Sequence, residues 1–381
     1  MTGDIIAPTV VPVGGLAEGD FAPLSDILSR IVAAQGRGGA ALCIYRAHDP
    51  VVDLVAGDYD QDSVQLLFSI SKLVTTVAVV VANESGLVDL DAPLGDYWPA
   101  FRRPATARMT LRMVMAHRAG LPVLTESISF PDFLEGRDEQ IIEKQDPLWE
   151  PGTRHGYHAF TFGTLVGGAF VRTVGQSVRD FVASRLSGPL GLDLWLGMPV
   201  EQQGRVKPVV FEPSRLTPRA AQRISSGAGV HDRIGDLFTF SDGSRFNDPR
   251  FLASSLLAAS GVGGARDLAR LLASCLDTVD GRRLISDRAL IDVTTSRSRG
   301  LDEILGIETR FGTGVQLPFP QLPFLGPSSF GHEAAGGSVA FADRELGIAV
   351  GFTTNVFPPM MGASTGLLGL LPSIRHCASG R

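Results

Sequence analysis

Two side chains are placed where acyl-transfer chemistry could begin. They are Ser69 and Lys72, in the segment Leu66-Leu67-Phe68-Ser69-Ile70-Ser71-Lys72. Residues three apart on a helix share a face, so the two can touch. A serine hydroxyl is a poor nucleophile until a base takes its proton. A lysine can be that base if its pKa falls, and burial lowers it by disfavouring the ammonium form. The positive potential of a helix N-terminus acts in the same direction. The chain has three lysines (Lys72, Lys144 and Lys207) against thirty-one arginines. An arginine could not lose a proton in this role. Lys72 lies between Leu66-Leu67-Phe68 and the apolar run Leu73–Ala82, a poor setting for a solvated charge. Two plainer readings compete: a chance Ser-x-x-Lys on an exposed helix turn, or a buried strand over Val74–Val81. A strand would turn Ser69 and Lys72 to opposite faces. Asn83-Glu84-Ser85-Gly86 ends a helix well, which favours the contact.

The elements that must carry this pair follow from periodicity. Leu24, Ile27, Leu28, Ile31 and Val32 mark a helix stopping at Gly36, after an irregular lead-in over residues 1–23. Ala40–Arg46 and Val51–Ala56 read as a hairpin. A helix is expected from about Ser71 to Ser85. Residues 87 to about 290 are mostly helices and proline-bearing turns. Val339–Ala342 and Gly347–Thr353 read as strands, and a last helix is expected near Ala363–Leu371. Strands at both ends and helices between them predict one sheet built from both termini, with a helical insertion.

Composition narrows the partners. At 381 residues and 44% hydrophobic, the chain can bury a large core. Its net charge of -6 and lack of a Lys/Arg run argue against nucleic acid. Cys43, Cys275 and Cys377 are too few and too dispersed for a disulfide framework or a metal set. The start has no basic n-region, and no apolar stretch is long enough to span a bilayer. Gly163-x-x-x-Gly167 lies in a short apolar run and reads as close core packing rather than a membrane dimer motif. A soluble cytoplasmic protein of undetermined oligomeric state is the expectation.

Ser69-Ile70-Ser71-Lys72 at the start of a long apolar helix resembles the class C β-lactamases, DD-peptidases and related esterases. Gly86–Gly95 and Met115–Pro122 look like the next segments of the same pattern. The nearest likeness is to the family VIII carboxylesterases, from about residue 20 to about residue 355. This resemblance implies an α/β (α+β) β-lactamase/transpeptidase-like fold with an antiparallel sheet. Residues 1–65 and 291–381 would form the sheet part and 66–290 the mostly helical part, with the site between them. It implies no cofactor.

Trp149–Ala159 resembles the second motif of that family, led by Tyr157. The usual Tyr-x-Asn is Tyr157-His158-Ala159 here, so the amide that binds a β-lactam side chain is missing. Tyr157 fits a proton shuttle with Lys72, because an adjacent ammonium would lower the phenol pKa. Phe330–Asp343 resembles the third motif, with His332-Glu333-Ala334 where lactamases have Lys-Thr-Gly and many esterases His-x-Gly. The resemblance places the oxyanion hole at the backbone amides of Ser69 and Ala335. It makes His332, Glu333, Ala334 and His158 substrate-binding positions, and Ala334 in place of glycine would narrow the pocket. A neutral histidine beside Glu333 offers little to an anionic β-lactam and costs a neutral ester nothing. The segment Leu317–Leu325 is either an apolar lip for the substrate or a loop folded over the core.

Two further patterns are set aside. His155-x-x-His158 lacks a third ligand for zinc. Gly362-Ala363-Ser364-Thr365-Gly366 matches the nucleophile elbow, but no acid lies between Ser364 and His376. His117 is expected to be structural. The expected activity is hydrolysis of a small carboxylic ester through a Ser69 acyl-enzyme. The rivals are an acyltransferase, a β-lactamase or D-amino-acid peptidase, and a non-catalytic binding relative.

Overall fold

The computed structural model describes residues 10–211, 244–358 and 365–379. Six strands form an antiparallel sheet in the order β1 (Val13–Ala17), β3 (Asp49–Gly57), β2 (Gly39–Arg46), β11 (Ile348–Thr354), β10 (Val339–Asp343), β9 (Ser329–Glu333). Both ends of the chain contribute, as the distribution of strand signals predicts. β2 runs through the middle and is buried on both faces. Successive side chains of a strand point to opposite faces. Ala40, Leu42 and Ile44 accordingly join one core with helix α1 (Leu24–Gln35), while Ala41, Cys43 and Tyr45 join the other.

β1 corrects the irregular lead-in. It pairs with β3 from Val13–Ala56 to Ala17–Val52. Two glycines and an exposed edge position hide the alternation that would mark it. Gly15 has a φ of +105°, and a Cβ there would lie 1.9 Å from the Asp53 carbonyl oxygen.

The expected boundary at residue 290 also needs adjustment. The helix Ala265–Leu276 lies within the stretch assigned to the helical part, yet it packs on β2, β10 and β11. Gly351 permits this approach: a Cβ there would meet the Ala265 carbonyl oxygen at 2.1 Å. The last helix, Thr365–Ser379, runs past Pro372 and buries Leu370, Leu371, Ile374 and Cys377 at helical spacing.

In the helical part, α2 (Ile70–Glu84) runs through the interior, with most of its side chains buried. Its β-branched run takes helical form because burial all round outweighs weak helix propensity. Gly86, at φ +71°, donates to Asn83, and Leu87 donates to Ala82, closing the helix. α3 (Thr161–Val174) crosses near α2. A small sheet, β4 (Gln65–Leu66), β6 (Gly261–Gly263) and β5 (Leu194–Leu196), braces the entry to α2. Among the described residues, no helix is long and apolar enough to cross a membrane.

Replacing Gly351 by alanine is expected to destabilise the protein by about 1–3 kcal/mol through overpacking against Ala265. Urea unfolding measures this, and an unchanged midpoint would contradict the close approach.

Candidate active site

Ser69 caps the N-terminus of α2 and is partly exposed. The residue before it, Phe68, has a φ of +46°, a conformation rare for a residue with a side chain. Several contacts hold it there. Ser71 Oγ donates to the Phe68 carbonyl at 2.5 Å and accepts from the Gly261 amide at 2.9 Å. Leu67 donates to the Gly261 carbonyl at 2.8 Å. The Phe68 ring sits edge-on to Phe246 and Phe357. This sharp entry turns Ser69 outward while the following residues enter the core.

Lys72 is fully buried. Its Nζ lies 3.3 Å from Ser69 Oγ and donates to the Ala258 carbonyl at 3.0 Å. Aromatic rings fill the rest of its surroundings, with the Tyr157 centroid at 4.9 Å and Phe162 at 6.0 Å. None of the ion pairs among the described residues includes it. Burial therefore pushes its pKa well below that of a free lysine, toward the neutral amine that can accept a proton. The segment carrying Ala258 is fixed from two sides. Leu257 accepts from Thr75 Oγ1 of α2 at 3.0 Å. On the other side, a Cβ at Gly163 would lie 2.9 Å from the Ala258 nitrogen, and one at Gly167 would lie 3.0 Å from Leu257 Cδ1. The Gly163-x-x-x-Gly167 pair is thus close packing, as its short apolar run implies.

Tyr157 is placed by a buried carboxylate. Its amide donates to Asp302 Oδ1 at 3.0 Å, and the same oxygen accepts from Ile304 and Leu305 at 2.9 Å. The ring stacks on Phe311. Burial pushes the phenol pKa above its ordinary value. This corrects the expected lowering: burial outweighs what would lower the phenol pKa.

The third element is β9 and the turn after it. His332 is buried and its ring lies 6.1 Å from that of Tyr157. Its Nδ1 donates to the Glu333 carbonyl at 2.6 Å, and burial, with Lys72 nearby, pushes its pKa down to about 3. The Glu333 amide donates to Gln316 Oε1 at 2.7 Å, pinning this strand end. Gly336 lies against the Phe68 ring, so closely that a Cβ there would meet it at 2.5 Å. The turn and the Ser69 entry are therefore neighbours. The Ala334 amide is spent on the Ser338 carbonyl, whereas those of Ser69 and Ala335 donate to no group among the described residues. Two unspent amides beside the nucleophile suit an oxyanion.

Two further expected substrate-binding positions are, like His332, buried. Ala334 is fully buried within the core, so its methyl narrows no exposed pocket. His158 is also fully buried, with both ring nitrogens engaged by backbone: Nε2 accepts from Leu121 at 3.2 Å, and Nδ1 donates to Gly156 at 2.7 Å. Its own amide donates to His117 Nδ1, which bears out the structural reading of His117. His155 turns to Thr309 instead. Phe319, Leu322, Phe324 and Leu325 pack into the core beside α1, so Leu317–Leu325 is the folded-over loop. Ser364 lies outside the described residues.

Sequence reasoning missed Ala258, Asp302, Gln316 and Ser71. The first acts through a backbone carbonyl, which no side-chain pattern can announce. The others support neighbours distant in sequence.

The family model for Beta-lactamase matches residues 24–370. The esterase/beta-lactamase LipL of Mycobacterium tuberculosis is 29% identical over 390 residues, covering 96% of this chain and 89% of that protein. Among solved structures, EstA from Arthrobacter nitroguajacolicus Rue61a superposes with a TM-score of 0.87 at 24% identity, over 96% of this chain and 98% of that one. A family VIII carboxylesterase and a penicillin-binding protein homologue from Caulobacter crescentus each reach 0.84 at 24% identity, over 96% of this chain and 100% of theirs. At that identity the structures show a shared fold.

The buried amine has a thermodynamic signature. Between its lowered pKa and the value of about 10.4 in the unfolded chain, the unfolded state binds the extra proton, so stability rises with pH. Lys72→Met removes that component. The stability of the wild type relative to Lys72→Met is therefore expected to increase as pH rises toward 10, by up to about 1.4 kcal/mol per unit. Parallel pH profiles in urea unfolding would contradict a depressed Lys72 pKa.

Proposed function

Because the chain belongs to the beta-lactamase family, hydrolases built on this fold, we propose that it cleaves carboxylic esters through a covalent acyl-enzyme on Ser69. The observation that carries the reading is the unpaired, fully buried Lys72 with Nζ 3.3 Å from Ser69 Oγ. In this reading Lys72 accepts the Ser69 proton as Oγ attacks the ester carbonyl. The Ser69 and Ala335 amides stabilise the oxyanion, an effect typically worth several kcal/mol. Collapse breaks the bond to the alcohol oxygen, which takes a proton from the neutral Tyr157 phenol, and the Lys72 proton restores Tyr157. Water then attacks the acyl-enzyme and gives a proton to Lys72, which passes it to Ser69 Oγ as the bond to the acyl carbon breaks and the acid leaves. No step calls for a cofactor.

The choice of ester over β-lactam rests on charge and on what is missing. The third-motif position holds His332, kept neutral, beside Glu333 rather than a lysine that would attract a carboxylate. The second motif ends in Ala159, with no amide for a lactam side chain. The double name of LipL keeps a second reading open: some β-lactam turnover by the same Ser69 chemistry. A non-catalytic role fits poorly with Ser69, Lys72 and Tyr157 brought together. Transfer of the acyl group to an alcohol would use the same first half-reaction.

Hydrolysis of p-nitrophenyl esters of graded chain length, beside a chromogenic cephalosporin, tests this. Ester turnover is expected to vanish in Ser69→Ala and to fall about 10²–10⁴-fold in Tyr157→Phe, with little cephalosporin cleavage. Efficient cephalosporin turnover would make the protein a lactamase, and ester turnover surviving in Ser69→Ala would remove the nucleophile.

A further inference from the structure

His332 carries one more piece of information. The Glu333 carbonyl can only accept, so Nδ1 bears the ring proton. Nε2 is then a bare lone pair. It is buried and has no hydrogen-bond partner among the described residues, although the residue is only 1% exposed. The ring that carries it lies 6.1 Å from that of Tyr157. Lys72 Nζ is directed to the Ala258 carbonyl and Ser69. A buried acceptor left without a donor is costly, and a site built around one rejects ligands that cannot supply a donor.

From this unpartnered acceptor beside Tyr157, we infer that the substrates are esters whose alcohol part carries a second, free hydroxyl, donated to His332 Nε2. The inference rests on the esterase reading. In that reading Tyr157 protonates the leaving alcohol oxygen, so a group next to Tyr157 faces the alcohol rather than the acyl chain. Monoesters of a diol or polyol fit, with the second hydroxyl a few bonds from the scissile oxygen. A third-motif lysine would act as a donor toward an anion. This histidine does the converse and takes a proton donor from a neutral molecule.

The test is a near-isosteric pair, 2-hydroxyethyl butanoate and n-propyl butanoate, which differ only by hydroxyl against methyl. The wild type is expected to favour the hydroxyethyl ester in kcat/KM by about 5- to 150-fold, the cost of an unpaired buried acceptor. The preference should collapse toward one in His332→Phe and be partly kept in His332→Gln, whose amide oxygen can still accept. A wild-type ratio near one overturns the proposal while leaving the esterase reading intact, whatever the variants do. A preference that survives in His332→Phe also overturns it, because the hydroxyl would then be read elsewhere. Turnover of neither ester by the wild type removes the esterase reading and this proposal with it.

Discussion

One constraint organises the molecule: an amine is buried in the core with no carboxylate paired to it among the described residues. Lys72 is among the largest fully buried side chains, and the polar contacts given to it are a backbone carbonyl and the serine it faces. A buried charge is held only if paired, and otherwise the group neutralises. An adjacent aspartate would stabilise the ammonium and leave Ser69 without a base. The aromatic rings and aliphatic walls around Nζ therefore bear on the reaction as directly as the hydrogen bonds do.

The architecture serves this placement. α2 delivers Lys72 to the interior and Ser69 to its edge within one helical turn, which requires the left-handed turn at Phe68 and the braces from Ser71 and Gly261. α3 presses its glycines against residues 257–258, and so fixes the carbonyl that orients the amine. The sheet supplies the opposite wall. Its β9 edge, pinned by Gln316, carries the turn with the unspent Ala335 amide up to Phe68. Tyr157 enters from a third direction on a backbone held by Asp302. In the proposed mechanism, groups from four separate stretches of chain act around one hydroxyl, the preorganisation that electrostatic catalysis needs.

Much of this was legible in the sequence. The Ser69–Lys72 spacing, the rarity of lysine and the apolar flanks pointed to a buried pair, and strands at both ends pointed to a shared sheet. The failures have physical causes. β1 was hidden because an exposed glycine-bearing edge strand keeps no alternation. The helix Ala265–Leu276 was assigned to the wrong part because amphipathic periodicity says that a helix packs, not what it packs on. For His158 and Ala334, position in a motif does not disclose the burial and backbone partners that surround them. The Tyr157 shift runs opposite to the expectation because burial, which a motif does not disclose, outweighs what would lower it.

The central claim is that neutral, buried Lys72 activates Ser69. It is tested most directly by the pH dependence of Ser69 phosphonylation by an uncharged phosphonate ester, followed by mass spectrometry. With a p-nitrophenyl phosphonate the p-nitrophenolate leaves without a proton from Tyr157, and no acyl-enzyme needs to turn over. The rate is expected to be level from alkaline pH down to a point well below the ordinary lysine pKa before falling, and to be slow at every pH in Lys72→Arg. A rate that falls as soon as pH drops below about 10.4, or an unimpaired Lys72→Arg protein, would contradict the account.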